Sequence, residues 1–142
     1  MTMTDTARRV TVKIPMSPPS ELSPNARRRG NVWAQRSATK DFRDTAWAAV
    51  VALKPAHEWT FCEPFGGWRM ITIHEHIIWP KSKGVLPDPD ALPTYCKAAL
   101  DGIVDAGLIA GDSHKHIASV TTSQEKGTDP LGWTIITIEE AA

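Results

Sequence analysis

The sequence predicts a single α+β domain in which a mixed sheet packs against two main helices in the order β-α-β-α-β-β. Three observations carry that prediction. Apolar and polar residues alternate near the N-terminus, two central stretches carry apolar residues at helical spacing, and Pro- or Gly-rich breaks separate the segments. A length of 142 residues suits one domain over residues 1–142 with its own core. Residues 1–8 are expected to be flexible.

Val10-Thr11-Val12-Lys13-Ile14 alternates as a half-buried strand does, and Pro15 ends it. A loop rich in Pro, Ser and Arg is expected from there to about Trp33, longer than most connections in a compact domain. Residues 37–53 read as a helix, with Ser37 or Thr39 as cap and Phe42, Ala46, Ala49, Val50 and Leu53 at helical spacing. Residues 68–79 read as a long isoleucine-rich strand that stops at Pro80. A loop, KSKGVLPDPD, follows and changes from basic to acidic. Residues 92–107 are the clearest helix. Pro93 suits its first turn, Gly107 suits its C-terminal cap, and Leu92, Cys96, Ala99, Leu100, Ile103 and Val104 form its apolar stripe. Residues 117–123 and 133–139 read as two further strands around a turn bearing Gly127, Asp129, Pro130 and Gly132.

A net charge of zero hides an asymmetry. Residues 1–54 carry ten Lys/Arg against four Asp/Glu, and residues 55–142 carry six against twelve. A basic half can meet a polyanion, and an acidic half can hold cations. No apolar run approaches the ~18 residues of a membrane span, and the N-terminus has no apolar signal region. Cys62 and Cys96 form no CxxC pair, so a reduced cytoplasmic setting is expected, with a disulfide between them unsupported. No GxSxG, Walker or GxGxxG motif is present.

The residues that invite chemistry lie between 88 and 116. Asp88-Pro89-Asp90 puts two carboxylates two residues apart in a loop stiffened by Pro87 and Pro89. The loop is expected to be extended, so alternation points both the same way, and two hard oxygen ligands on one side suit Mg²⁺ or Mn²⁺. A solvated Asp-Pro turn is the plainer alternative. Lys97 lies one turn past Pro93, where a helical side chain leans back toward the N-terminus and the Asp90 loop. It can equally pair with Asp101 four residues on. Asp112 follows the helix in a Gly-Asp-Ser context, where the returning chain can bring it beside the Asp pair or leave it in a simple turn. His114 and His116 could join Asp112 at zinc, but no HExxH or Cys-rich frame supports that reading. His74 and His76 share one face of a strand and read as structural.

The run Asp88-Pro89-Asp90-Ala91-Leu92-Pro93-Thr94-Tyr95-Cys96-Lys97-Ala98-Ala99-Leu100-Asp101-Gly102, continued by Asp105-Ala106-Gly107-Leu108 and Gly111-Asp112-Ser113, resembles the RusA family of phage and prophage crossover junction endodeoxyribonucleases. That family's signature runs D-x-D-N-L, then a lysine opening K-A-A-x-D, then D-A-G, then a late Asp. Pro18-Pro19-Ser20 and Ser23-Pro24-Asn25-Ala26-Arg27 resemble its opening loop, so the likeness spans roughly residues 10–140. It departs at Ala91, where the family has Asn, and at Gly111, where an acidic residue is common. The resemblance implies a RusA-like fold and a homodimeric Mg²⁺-dependent resolvase of four-way (Holliday) DNA junctions, with Mn²⁺ as a substitute. Its metal ligands would be Asp88, Asp90 and Asp112, and its catalytic lysine Lys97. Contact with branched DNA would fall to Arg27, Arg28, Arg29, Arg36, Lys40, Lys81 and Lys83, with Arg43 nearby. A flap or nicking endonuclease on the same scaffold, or a junction-binding protein with weakened catalysis, are the competing readings.

Overall fold

The computed structural model describes residues 9–24, 31–53, 70–109 and 117–140. Strand β1 (Arg9–Ile14) is followed by helix α1 (Val32–Leu53), strand β2 (Ile71–Trp79), helix α2 (Leu92–Asp105), and strands β3 (Ile117–Lys126) and β4 (Trp133–Glu140). The expected order β-α-β-α-β-β is therefore the observed one. Residues 1–8, expected to be flexible, lie outside the described residues.

The four strands make one mixed sheet in the order β1-β4-β2-β3. β4 pairs antiparallel with both β1 and β2, and β3 runs parallel to β2. A parallel pair needs a crossover, and here the acidic loop and α2 supply it. The inward face follows the two-residue period: Val10, Val12 and Ile14 on β1, Ile71, Ile73, Ile77 and Trp79 on β2, Ile136 and Ile138 on β4. The two helices cover that face with Phe42, Ala46 and Val50 from α1 and Leu92, Cys96, Ala99 and Ile103 from α2. Thr134 is buried too, and its hydroxyl donates to the Met16 carbonyl at 2.8 Å.

Helix α1 begins five residues before the sequence reading placed it, at Val32 rather than residue 37. The cap is Asn31, whose Oδ1 accepts from the backbone N–H of Trp33 at 2.9 Å and of Ala34 at 3.3 Å. Thr39 lies inside the helix, where its hydroxyl donates back to the Gln35 carbonyl at 2.7 Å. The first helical turn is exposed, Trp33 at 75%, so the apolar stripe begins only at Ala38. At the far end of α2 the expected glycine cap is present. Gly107 has φ +81°, its N–H donates to the Val104 carbonyl, and the Leu108 N–H donates to that of Ile103. Those two bonds close the helix with a Schellman motif, and Leu108 and Ile103 are both buried beneath it.

The helices touch at Gly102. A Cβ there would sit 2.2 Å from the Arg43 carbonyl oxygen and 3.0 Å from the Ala46 Cβ. Arg43 also clamps the pair, with Nε 2.5 Å and Nη2 2.9 Å from the two Asp105 carboxylate oxygens. That fork holds the Asp105 carboxyl below the usual carboxylate range. Because the obstacle is backbone, Gly102→Ala must push α1 from α2. A loss of about 2–3 kcal/mol is expected, read as a lower urea midpoint at unchanged slope. A midpoint within error of wild type would show that the helices separate freely.

A candidate acidic active site beside the crossover

The loop between β2 and α2 is built to present carboxylates. The Lys83 N–H donates to the Pro80 carbonyl at 2.9 Å, turning the chain directly after the strand. Gln124 on β3 then bridges strand and loop. Its Oε1 accepts from the Trp79 indole at 2.8 Å, and its Nε2 donates to the Pro87 carbonyl at 2.7 Å. The carbonyl it holds precedes Asp88 directly. Asp88 itself is extended, but the extended run expected through Asp90 stops there. Pro89–Ala91 form a single 3-10 turn, with the Ala91 N–H donating to the Asp88 carbonyl at 3.0 Å. Proline supplies φ for that turn and needs no N–H partner.

Asp88 and Asp90 nevertheless share one cleft, of about 400 Å³, with Ser23, Pro24, Leu86 and Tyr95. Both aspartates are exposed at its wall. Their place, beyond the carboxyl end of β2 in the crossover between two parallel strands, is where open α/β sheets bind ligands. Ser23 and Pro24 belong to the segment whose sequence looked like an opening loop, so two distant parts of the chain meet at this cleft. Two hard oxygen donors beside open space fit Mg²⁺, which keeps several waters and takes few protein ligands. Asp112, the third expected ligand, lies outside the described residues, as do His114 and His116.

Lys97 is not in that cleft. Its Nζ lies 2.9 Å from Asp101 Oδ1, the i+4 partner anticipated as the alternative. It lines a neighbouring cavity of about 450 Å³ between α2 and β3, with Pro93, Leu100, Ile117, Val120 and Glu75. Glu75 was missed at the sequence level. It stands among inward-facing isoleucines on β2, across from Ile136 of β4 and Thr122 of β3. It is 2% exposed, and its Oε1 is buried without a hydrogen-bond partner among the described residues. Burial pushes its carboxyl up to about 7. The signal was available: Ile71, Ile73, Ile77 and Trp79 share the parity of Glu75, and a strand with that parity inward must bury it. Cys96, also fully buried on α2, is free, and burial followed by the nearby Glu75 charge raises its thiol above the ordinary range. Cys62 lies outside the described residues.

The basic residues fall into two groups. Arg36 and Lys40 line a groove of about 630 Å³ on the N-terminal half of α1, with Leu22, Val32 and Gln35. The Arg36 guanidinium sits 5.6 Å from the Trp33 ring, and Lys40 pairs with Asp44 at 2.6 Å. Lys81 and Lys83 belong to the acidic loop. Lys83 Nζ lies 4.5 Å from the Trp79 ring centroid and 6.0 Å from that of Tyr95, which itself lines the Asp88–Asp90 cleft. Arg43 is committed to Asp105. Arg27, Arg28 and Arg29 lie outside the described residues.

On the opposite, open face of the sheet, His74 and His76 are held in a ladder. His74 reaches the Thr121 and Ser123 hydroxyls at 2.6 and 2.8 Å, and His76 reaches Ser123 at 2.6 Å and Glu125 at 2.7 Å. These rings tie the edge strand β3 to β2, in keeping with a structural reading. Among the described residues no group of three or more His, Cys, Asp or Glu is placed to hold a metal ion, and no helix is long and apolar enough to cross a membrane. No protein-family model matches the chain, and no curated protein sequence matches it.

Proposed function

We propose that the chain is a metal-dependent, structure-selective DNA endonuclease of the RusA kind, which resolves four-way junctions by paired phosphodiester hydrolysis. The observation that carries this reading is the meeting of Asp88 and Asp90 at one cleft, on a proline-fixed turn pinned by Gln124. Asp88 and Asp90, with Asp112, would hold Mg²⁺ or Mn²⁺. That ion, when bound, supplies Lewis acidity toward a phosphate oxygen and lowers the pKa of water. The protein's own groups do the rest. The turn fixes the two carboxylates before substrate arrives, so little reorganisation is left to the reaction. Lys83, stacked beside the cleft, meets incoming phosphate with positive charge, and Lys81 adds to it. Arg36 and Lys40 extend the basic track along α1. Lys97 offers its ammonium to charge developing on the phosphate once it leaves Asp101.

A four-way junction has two-fold symmetry and needs two opposed cuts. Among the described residues one chain offers one such acidic cleft, so the working species is proposed to be a C₂ homodimer, acting in the cytoplasm of the cell that holds the DNA. The test is cleavage of a synthetic four-way junction, a flap and a linear duplex, each titrated with Mg²⁺ and Mn²⁺. Metal-dependent paired nicks on the junction are the expected result. Preference for the flap, or single nicks from a monomer, would replace resolution by flap or nicking activity. Tight junction binding with no cleavage at any metal concentration would make the chain a binding protein.

A further inference from the structure

Glu75 has no place in the proposed reaction, yet a carboxyl at the centre of a sheet is not neutral filler. An unpaired buried oxygen costs stability that isoleucine at this position would not. A group kept under that penalty, at the wall of a cavity, is a candidate functional position. The cavity it faces holds one cationic side chain among the described residues, Lys97, together with Ser119 and the apolar surfaces of Pro93, Leu100, Ile117 and Val120. Lys97 rests at the rim with a half-exposed side chain on Asp101, itself partly exposed. Its four-carbon stem allows the ammonium to move between rim and interior without displacing α2.

We propose that Glu75 is a positioning residue for Lys97, an interior station that draws the ammonium from Asp101 into the cavity between α2 and β3. The two stations differ in strength. Asp101 is accessible to water, which screens its attraction, whereas an ionised Glu75 acts in low dielectric with no competing donor on Oε1. The interior contact therefore prevails when Glu75 is ionised and vanishes when it is protonated. Among the described residues, α2 contributes Lys97 and the neutral Cys96 thiol, β4 contributes Ile136, and β3 contributes Ser119, Val120 and Thr122, and of these only Lys97 carries a charge. With Glu75 titrating near neutrality, Lys97 changes station over the range in which a cytoplasmic protein works.

That Lys97 serves catalysis rests on the endonuclease reading, so the experiment has two arms. In the first, the Lys97 Nζ and Cε resonances, assigned by their loss in Lys97→Arg, are followed from pH 5.5 to 8.5 in the metal-free full chain. An inflection between pH 6 and 8 is expected in wild type, retained in Asp101→Asn and absent in Glu75→Gln. In the second, junction cleavage is compared between wild type and Lys97→Ala across the same range. The ratio of their rates cancels the titration of every shared group. It should fall about tenfold from pH 6 to 8, as a group titrating near 7 goes from a tenth to nine-tenths ionised, and stay flat in the Glu75→Gln background. Ionised Glu75 holds the ammonium in the interior cavity and away from the Asp88–Asp90 cleft. Lys97 resonances unaffected by Glu75→Gln would overturn the proposal whatever the cleavage arm shows. If Glu75→Gln fails to fold, lack of the inflection in Asp101→Asn overturns it equally. A spectroscopic inflection without any junction cleavage would leave the Glu75–Lys97 station intact and remove the endonuclease reading instead.

Discussion

On the proposed endonuclease reading, Asp90→Asn is expected to reduce junction cleavage by about 10³-fold or more while the protein unfolds at the wild-type urea concentration. The size follows from what the carboxylate would do. A metal ligand supports several kcal/mol of charge stabilisation in the transition state, and each 1.36 kcal/mol is tenfold in rate. The unchanged stability follows from exposure. Asp90 stands at the surface of a single 3-10 turn whose backbone bond, from the Ala91 N–H to the Asp88 carbonyl, does not involve its side chain. Asparagine keeps the shape and removes the charge. Junction affinity in EDTA should hold or increase, because a negative charge leaves the surface proposed to meet phosphate. Wild-type cleavage rates in Asp90→Asn would end the assignment of this cleft. A large loss of stability would show that the carboxylate serves the fold.

The parts of this fold legible in the sequence were those written in periodicity. β1, β2 and α2 each repeat apolar residues at their own period, and Gly107 announced the end of α2 because only a residue tolerant of positive φ fits there. α1 was read short because its first turn is exposed and contributes nothing to the apolar stripe, while Ser37 and Thr39 imitate caps that Asn31 in fact provides. The Asp88–Asp90 pair was legible as chemistry, and its geometry was not: the proline that suggested an extended loop instead opens a tight turn. Lys97 could be put on α2 but not on a side of it. Helix rotation is set by which residues the core takes, and burying Tyr95, Cys96 and Ala99 turns Lys97 toward β3 and away from the Asp cleft. Gln124 gave no signal, since a glutamine on an edge strand is ordinary until the carbonyl it holds is seen.

Glu75 also governs stability, and the sign is fixed by the direction of its shift. Its carboxyl is raised in the folded protein from 4.5 to about 7, so the folded state binds a proton more tightly than the unfolded chain. Below about pH 4.5 both states are protonated and the group costs nothing through titration. As pH rises through 7 the folded protein must either keep the proton against solution or ionise a buried carboxyl, and stability falls before levelling above that pH. Between pH 5 and 8 the loss is about 2–3 kcal/mol, from a shift of this size at 1.36 kcal/mol per pH unit. Glu75→Gln keeps the shape, cannot titrate, and removes this slope. Asp105, held low by Arg43, slopes the other way at acid pH, but it is common to both proteins and cancels in the comparison. Urea unfolding at pH 5 and pH 8 therefore measures the effect directly, with Glu75→Gln gaining about 2–3 kcal/mol on wild type between the two. An equal pH dependence in both proteins would mean that Glu75 is already ionised and paired at pH 5. A Lys97→Met variant separates the remaining cases: where Lys97 partly compensates the buried charge, its loss makes the decline from pH 5 to 8 steeper, and where it does not, the decline is that of wild type.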